Sequence, residues 1–404
     1  MDLIAYAGPF FALLILAELL LDWRRGTGYY RLNDAVGSLS MGILSTGSKL
    51  VIYGVEAAIL LWTGEHLALW QVPGDSALAW LLTFIFYDLL YYWFHRISHE
   101  RQLFWGAHVA HHSSEEYNLT TALRQTSMGF FYSWIFFIPC FVLGVPAEMY
   151  FTVASVNLLY QFWVHTRHIR KLGWFDYVFV SPSNHRVHHA RNPRYMDRNY
   201  GGVFILWDRM FGTFIEELDE EPVEFGITKP LNTFNPLRAN LHIFLDMLRD
   251  CMATNNRQDK WKIWFSRTGW RPSDLPENQA GNLSVKFDPP CVRLASLFAL
   301  SLLVCMYIWG SYYIFAFLDL AYADRAVGFA LLLLTLMEAA AVMEGRVSGP
   351  MMIARRILLL SSVVYLWQAA PGAVAVFYPA YGLFLAISWM VLRRPRENEP
   401  MPAS

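Results

Sequence analysis

Apolar stretches long enough to cross a bilayer recur from one end of this chain to the other, and they constrain its fold before any other feature does. A hydrocarbon core about 30 Å thick takes roughly 20 mostly apolar residues as helix. Residues 3–21 meet that requirement and end at Asp22, Trp23, Arg24 and Arg25. The run has no basic leader and no small-residue cleavage site, so it reads as an anchor helix and not as a removed signal peptide. Residues 35–62 form a second run, interrupted by Lys49 and Glu56, and 76–94 a third. Residues 128–144 and 147–164 make a hairpin about Val145 and Pro146. After a long polar stretch, 291–317, 326–343, 357–370 and 373–392 are apolar again. Nine such runs predict an all-α, polytopic membrane bundle.

Composition agrees. Of 404 residues 55% are hydrophobic and 16% charged, against about 25% charged in ordinary soluble domains. That excludes a disordered chain, a coiled coil and a typical soluble enzyme. Lys+Arg 32 against Asp+Glu 33 leaves no basic excess for nucleic acid. The four cysteines, Cys140, Cys251, Cys291 and Cys305, are scattered without a CxxC pair and read as reduced thiols.

Basic residues orient the spans. Arg24, Arg25 and Arg31 follow the first run, Arg96 and Arg101 the third, and Arg167, Arg170 and Lys171 the fifth. Arg355 and Arg356 precede the eighth, and Arg393, Arg394 and Arg396 follow the last. Threading nine spans puts all of these on one side, whereas loops 63–75, 144–146 and 319–325 hold only Arg325. The polar region 166–290 and the C-terminus are therefore expected at the cytoplasmic face. Within that region, the Pro- and Asp-rich residues 271–290 read as a linker. It would separate an N-terminal module, 1–270, from a C-terminal helical module, 291–404, that carries no histidine.

Histidine is where the chemistry shows. Of twelve, ten fall between His95 and His189. His95 and His99 form HxxxH at the end of the third run. His108, His111 and His112 form HxxHH, and His185, His188 and His189 form it again. His165 and His168 stand three apart at the end of the fifth run. At 3.6 residues per turn, positions three or four apart share a helix face, so each pair can offer two imidazoles to one ion. In HxxHH the first and third project together while the middle one is turned by about 100°, so two such motifs can reach two metals. Neutral imidazole suits Fe, Zn, Cu and Ni, and spacing does not choose among them. His66 and His242 read as a loop and a peripheral-helix histidine. HExxH is absent, which disfavours a zincin-type protease. Asp88 lies seven residues before His95, on the same helix face, where a buried carboxylate would orient a ligating imidazole or pair with an arginine.

In this order the motifs resemble the fatty acid hydroxylase/sterol desaturase superfamily, integral membrane enzymes with a histidine-ligated di-iron centre at the cytosolic end of a helical bundle. The likeness covers roughly Tyr87 to Leu241. Asp88 to Arg96 resembles the approach to the first motif, and Asn199-Tyr-Gly-Gly the segment after the last. Three stretches, His111 to Gln125, Asn157 to Thr166 and His185 to Asn192, resemble the branch that cleaves glyceryl ether lipids. Residues 207–214 and 226–234 extend that likeness past the metal motifs. The resemblance implies His95, His99, His108, His111, His112, His165, His168, His185, His188 and His189 as ligands of two Fe ions, for which Zn could substitute on overexpression. It implies that Glu100 is needed for activity and that tetrahydrobiopterin is the reductant, although no segment of the chain independently marks a pterin site. Asn118 and Asn199, with Asp88, are candidates to support the ligands. Tyr117, Asn118 and Arg124 are candidates for head-group contacts or for a structural role.

The implied reaction is O₂-dependent hydroxylation of a membrane lipid C–H bond, most closely the carbon beside an ether oxygen, giving an aldehyde and a glycerol derivative. A sterol or fatty-acyl hydroxylase or desaturase, or a hydroxylase of another membrane lipid, keeps the metals and changes the substrate. A metal transporter would place ligands near the bilayer midplane, and here they gather at one face.

Overall fold

A computed structural model describes residues 3–276, 283, 285–291, 293–369 and 374–392. Arg393, Arg394 and Arg396, and 277–282 and 284 of the expected linker, lie outside the described residues. Among those described the chain is all-helical, with three isolated bridges and no strand. The four cysteines are free.

The chain forms two compact units, Met1–Asn232 with Leu237–Phe287, and Thr233–Pro236 with Asp288–Ser404. In the first, α1 (Leu3–Arg25), α2 (Leu32–Leu67) and α3 (Ala77–Glu100) are the long helices. They are followed by α4 (Gln102–Gly106), α5 (Val109–His112), α6 (Leu119–Ala122), α7 (Ser133–Val142) and α8 (Ala147–Trp163). Then come α9 (Phe175–Val178), α10 (Pro182–His188), α11 (Leu206–Phe211), α12 (Pro236–Ala253) and α13 (Arg257–Phe265). The second unit packs α14 (Arg293–Ala316), α15 (Tyr322–Met343), α16 (Pro350–Ala369) and α17 (Val374–Leu392). There the fully buried Glu338 accepts from Arg355 at 2.7 Å and Arg356 at 2.8 Å.

Among the described residues, five helices are long and apolar enough to cross a membrane: α3, α14, α15, α16 and α17. The halves of α2, bent by 56° between Leu50 and Gly54, make a sixth if taken as one span. The nine apolar runs therefore do not become nine membrane-long helices. Part of 128–144 is spent on the 3₁₀ turn Gly129–Phe131, and α7 has only ten residues, about 15 Å of helix. In α1, Glu18 and Asp22 turn inward and are buried, and Phe11 stacks on Phe162 of α8 with ring centroids 4.2 Å apart.

The core of this unit is aromatic. Tyr87 stacks on Phe137 at 4.7 Å, and Leu60, Phe141, Met149, Tyr150 and Val153 close around them. This fixes α3 against α7 and α8. The last turns of α3 then carry His95 and His99 out of the apolar core and into a cap of helices only four to seven residues long.

Candidate metal centre

The cap gathers nine buried histidines into two groups. His95, His99, His108, His112 and His188 form one, and His111, His165, His185 and His189 the other. Within each, one ring nitrogen per residue lies within 4.8 Å of the rest. The division follows helix periodicity. His108 and His112, four apart, go to the first group while His111 goes to the second. Likewise His185 and His189 share the second group and His188 crosses to the first. Ser181 caps α10 by accepting from the Asn184 N–H, and Pro182 occupies its first turn, where a missing N–H costs nothing.

Four imidazoles have their outer nitrogen committed. The Nδ1 atoms of His95, His188, His111 and His165 lie 2.8, 3.0, 2.9 and 2.8 Å from the carbonyls of Tyr200, Arg198, Arg124 and Gln161. A carbonyl only accepts, so each Nδ1 carries the proton and each Nε2 presents a lone pair. The Nε2 atoms nonetheless converge, at 3.1 Å for His95–His108, His99–His112, His108–His112 and His165–His185. The Nε2 atoms of His188 and His189 are buried with no hydrogen-bond partner. Facing lone pairs repel unless a cation lies between them, and this donor set suits one. Burial, reinforced by neighbouring imidazoles, holds His108, His112, His185, His188 and His189 well below the usual histidine range. His111 is lowered to about 4, chiefly by burial. The neutral rings that metal binding requires are thus the resting form.

The tenth histidine departs from expectation. His168 belongs to neither group; its Nε2 lies 3.9 Å from the Asp22 carboxylate and its ring 5.1 Å from Tyr29. The reason is that α8 ends at Trp163, so a spacing of three no longer returns His168 to the face of His165. Glu100 also lies outside both groups, its side chain 36% exposed and paired with Arg96 at 2.8 Å. Asp88 touches neither an imidazole nor an arginine. Fully buried, it accepts from the Asn157 side chain at 2.6 Å, the Val203 and Phe204 amides at 2.8 and 3.0 Å, and the Trp207 indole at 2.9 Å.

Asn118 caps α6, accepting from the Thr120 amide at 3.0 Å, and donates to the Tyr29 carbonyl at 2.9 Å. Tyr117 is buried, its ring stacked 5.5 Å from His165 and its hydroxyl donating to the Val164 carbonyl. Arg124 is also buried, donating to Ala110 O at 2.8 Å and Ser113 Oγ at 2.9 Å. Both side chains are buried in the wall of the site. Asn199 has φ +55° and bonds Ile215 through both ends of its amide.

Sequence reasoning did not single out Asp197 or Asp208. The Asp197 carboxylate lies 3.7 Å from His99 Nδ1. Asp208 is fully buried and accepts from the amides of Tyr200 and Gly201, each at 2.7 Å. Two glycines followed within a few residues by an aspartate were the available signal.

Residues 80–213 match the fatty acid hydroxylase family model. The chain is 41% identical to the alkylglycerol monooxygenase of Homo sapiens over 272 residues, covering 67% of this chain and 60% of that one. It is 39% identical to the Xenopus tropicalis alkylglycerol monooxygenase over 280 residues, covering 68% and 62%. An ornithine lipid hydroxylase of Rhizobium tropici is 26% identical over 171 residues, covering 40% and 50%. The chain thus spans about 60% of the length of the alkylglycerol monooxygenases it matches. No solved structure matches it.

Proposed function

Proceeding from a fatty acid hydroxylase domain at 80–213 in an integral membrane chain, we propose that this protein is a di-iron monooxygenase that cleaves the ether bond of alkylglycerol lipids. The observation that carries the reading is the division of nine buried histidines into two groups, on a chain about 40% identical to alkylglycerol monooxygenases over two-thirds of its length. In this reading His95, His99, His108, His112 and His188 hold one ion and His111, His165, His185 and His189 the other. Glu100 supports activity from the rim. Two Fe ions would supply reduction of O₂ and oxidation of an unactivated C–H bond, with tetrahydrobiopterin as the electron donor.

The chain's own contribution is positioning and exclusion of water. The carbonyls of residues 124, 161, 198 and 200 fix the imidazole tautomers, so that every committed ring offers Nε2 inward. The buried rings of Tyr117 and Tyr200 wall the site from solvent, which protects a reactive oxidant from quenching. Hydroxylation of the carbon beside the ether oxygen yields a hemiacetal, which collapses to an aldehyde and a free alcohol. A lipid enters sideways from the bilayer with its chain between helices.

The arginine clusters favour a cytoplasmic site, with the α7–α8 hairpin entering and leaving on that same side. The chemistry resides in 1–270, joined by a linker at 271–290 to a helical module at 291–404. The test is purified protein with iron, O₂ and tetrahydrobiopterin acting on an alkylglycerol, with aldehyde release measured. Aldehyde is expected. Its absence, with oxidised sterol, acyl chain or amino-acid-bearing lipid formed under another reductant, would favour the hydroxylase reading that the ornithine lipid hydroxylase likeness supports.

A further inference from the structure

The two histidine groups take their orientation from different parts of the chain. In the second, His165 donates to the carbonyl of Gln161, four residues earlier in the last turn of α8, and His111 to that of Arg124. In the first, His95 donates to the carbonyl of Tyr200 and His188 to that of Arg198, while His99 faces Asp197. Three of its five rings are thus addressed by four consecutive residues, 197–200.

That segment lies outside regular structure, and two of its residues, Asp197 at φ +57° and Asn199 at φ +55°, are left-handed without being glycine. Such backbone persists only where its surroundings impose it. Here three buried side chains do so. Asn199 accepts from the Ile215 amide at 2.9 Å and donates to the carbonyls of Ile215 and Asn184 at 2.8 and 3.1 Å. Asp208 takes the Tyr200 and Gly201 amides and the Thr213 hydroxyl, all at 2.7 Å. Asp88 takes the Val203 and Phe204 amides. Together they form a strap from 197 to 204 whose carbonyls aim outward at His95 and His188. None of these three carboxylate or amide groups bonds an imidazole directly.

We infer that Asp208, Asn199 and Asp88 are positioning residues for the first metal, and that loosening the strap at Asp208, whose side chain bonds only the strap and Thr213, empties the five-histidine site and leaves the four-histidine site loaded. This rests on the two-metal reading above. Asp208 is the cleanest probe, because its partners lie only in the strap and at Thr213; Asn199 also reaches Asn184, beside His185 of the other group.

The test is iron per chain, by elemental analysis, on the full-length protein in detergent, with Mössbauer spectra of the same samples. Wild type is expected to hold two ions, and Asp208→Asn one, because an amide turned toward two N–H donors no longer accepts from both. His165→Ala, which removes a ligand of the second group, also holds one, but its spectrum is complementary to that of Asp208→Asn. The double variant holds none. If Asp208→Asn fails to fold, Asn199→Gly decides instead, since glycine keeps the left-handed backbone without the side-chain bonds. Two ions in a folded strap variant, or none with an unchanged melting temperature, would overturn the inference and leave the two-metal reading standing. A wild-type chain with fewer than two ions would overturn that reading itself.

Discussion

Gly202 has no room for a methyl group. A Cβ there would lie 2.7 Å from the Tyr91 ring and 2.8 Å from the Asp88 carboxylate, both held in place by the core. Gly202→Ala is expected to cost about 1–3 kcal/mol by overpacking, read as a lower melting temperature in detergent. Gly310→Ala, with nothing within 4 Å of the new carbon, is expected to leave the temperature unchanged or raise it, since helix interiors favour alanine. The buried histidines set an acid limit. His111 is lowered to about 4 from an unfolded value of about 6.5, so below 6.5 the unfolded chain takes up the proton first. Stability of the metal-free chain should be full above about pH 6.5 and fall progressively towards pH 4. A melting temperature flat across that window would refute this. At this scale the sequence was readable where helix continued: His108 pairs with His112 because four residues make a turn. It was unreadable where helix stopped, as at His168, and where a side chain bonds backbone, as Asp88 does with Val203 and Phe204.

At the scale of elements, α3 does most of the placing. Its apolar length locks into α7 and α8, and its polar end delivers His95 and His99 to the cap. Counting apolar letters located this helix well, because 76–94 contains no turn. The same count failed at 128–144, where a 3₁₀ turn uses up part of the run before α7 begins. Nothing in the hydrophobicity of Met128 to Tyr132 announces that turn. The cytoplasmic reading predicts that a cysteine replacing Glu220 and one replacing Asp75 label from opposite sides of sealed vesicles, in a background lacking the native cysteines. Glu220 should react only from the side bearing the histidines. Labelling of both from one side would refute the proposed topology.

For the molecule as a whole, both histidine groups belong to the first compact unit, and the second has a buried ion cluster of its own in Glu338, Arg355 and Arg356. If residues 271–290 act as a linker, a protease site placed at 277–282 should yield, after cleavage, an N-terminal fragment that retains the metal content of the intact chain. Loss of metal on cleavage would show that the second unit helps to build the centre. The strap at 197–204 was not legible in the sequence. Its meaning depends on carboxylates contributed by Asp88, more than a hundred residues earlier in the sequence, and by Asp208.

One feature of the cap reaches beyond ligation. His111 and His112 are consecutive and serve opposite groups, as do His188 and His189. Neighbouring Cα atoms stand 3.80 Å apart whatever ion is bound, so two peptide links act as a calliper across the centre. On the two-metal reading, that backbone spacing belongs to the chain and is the same whichever ion occupies either group.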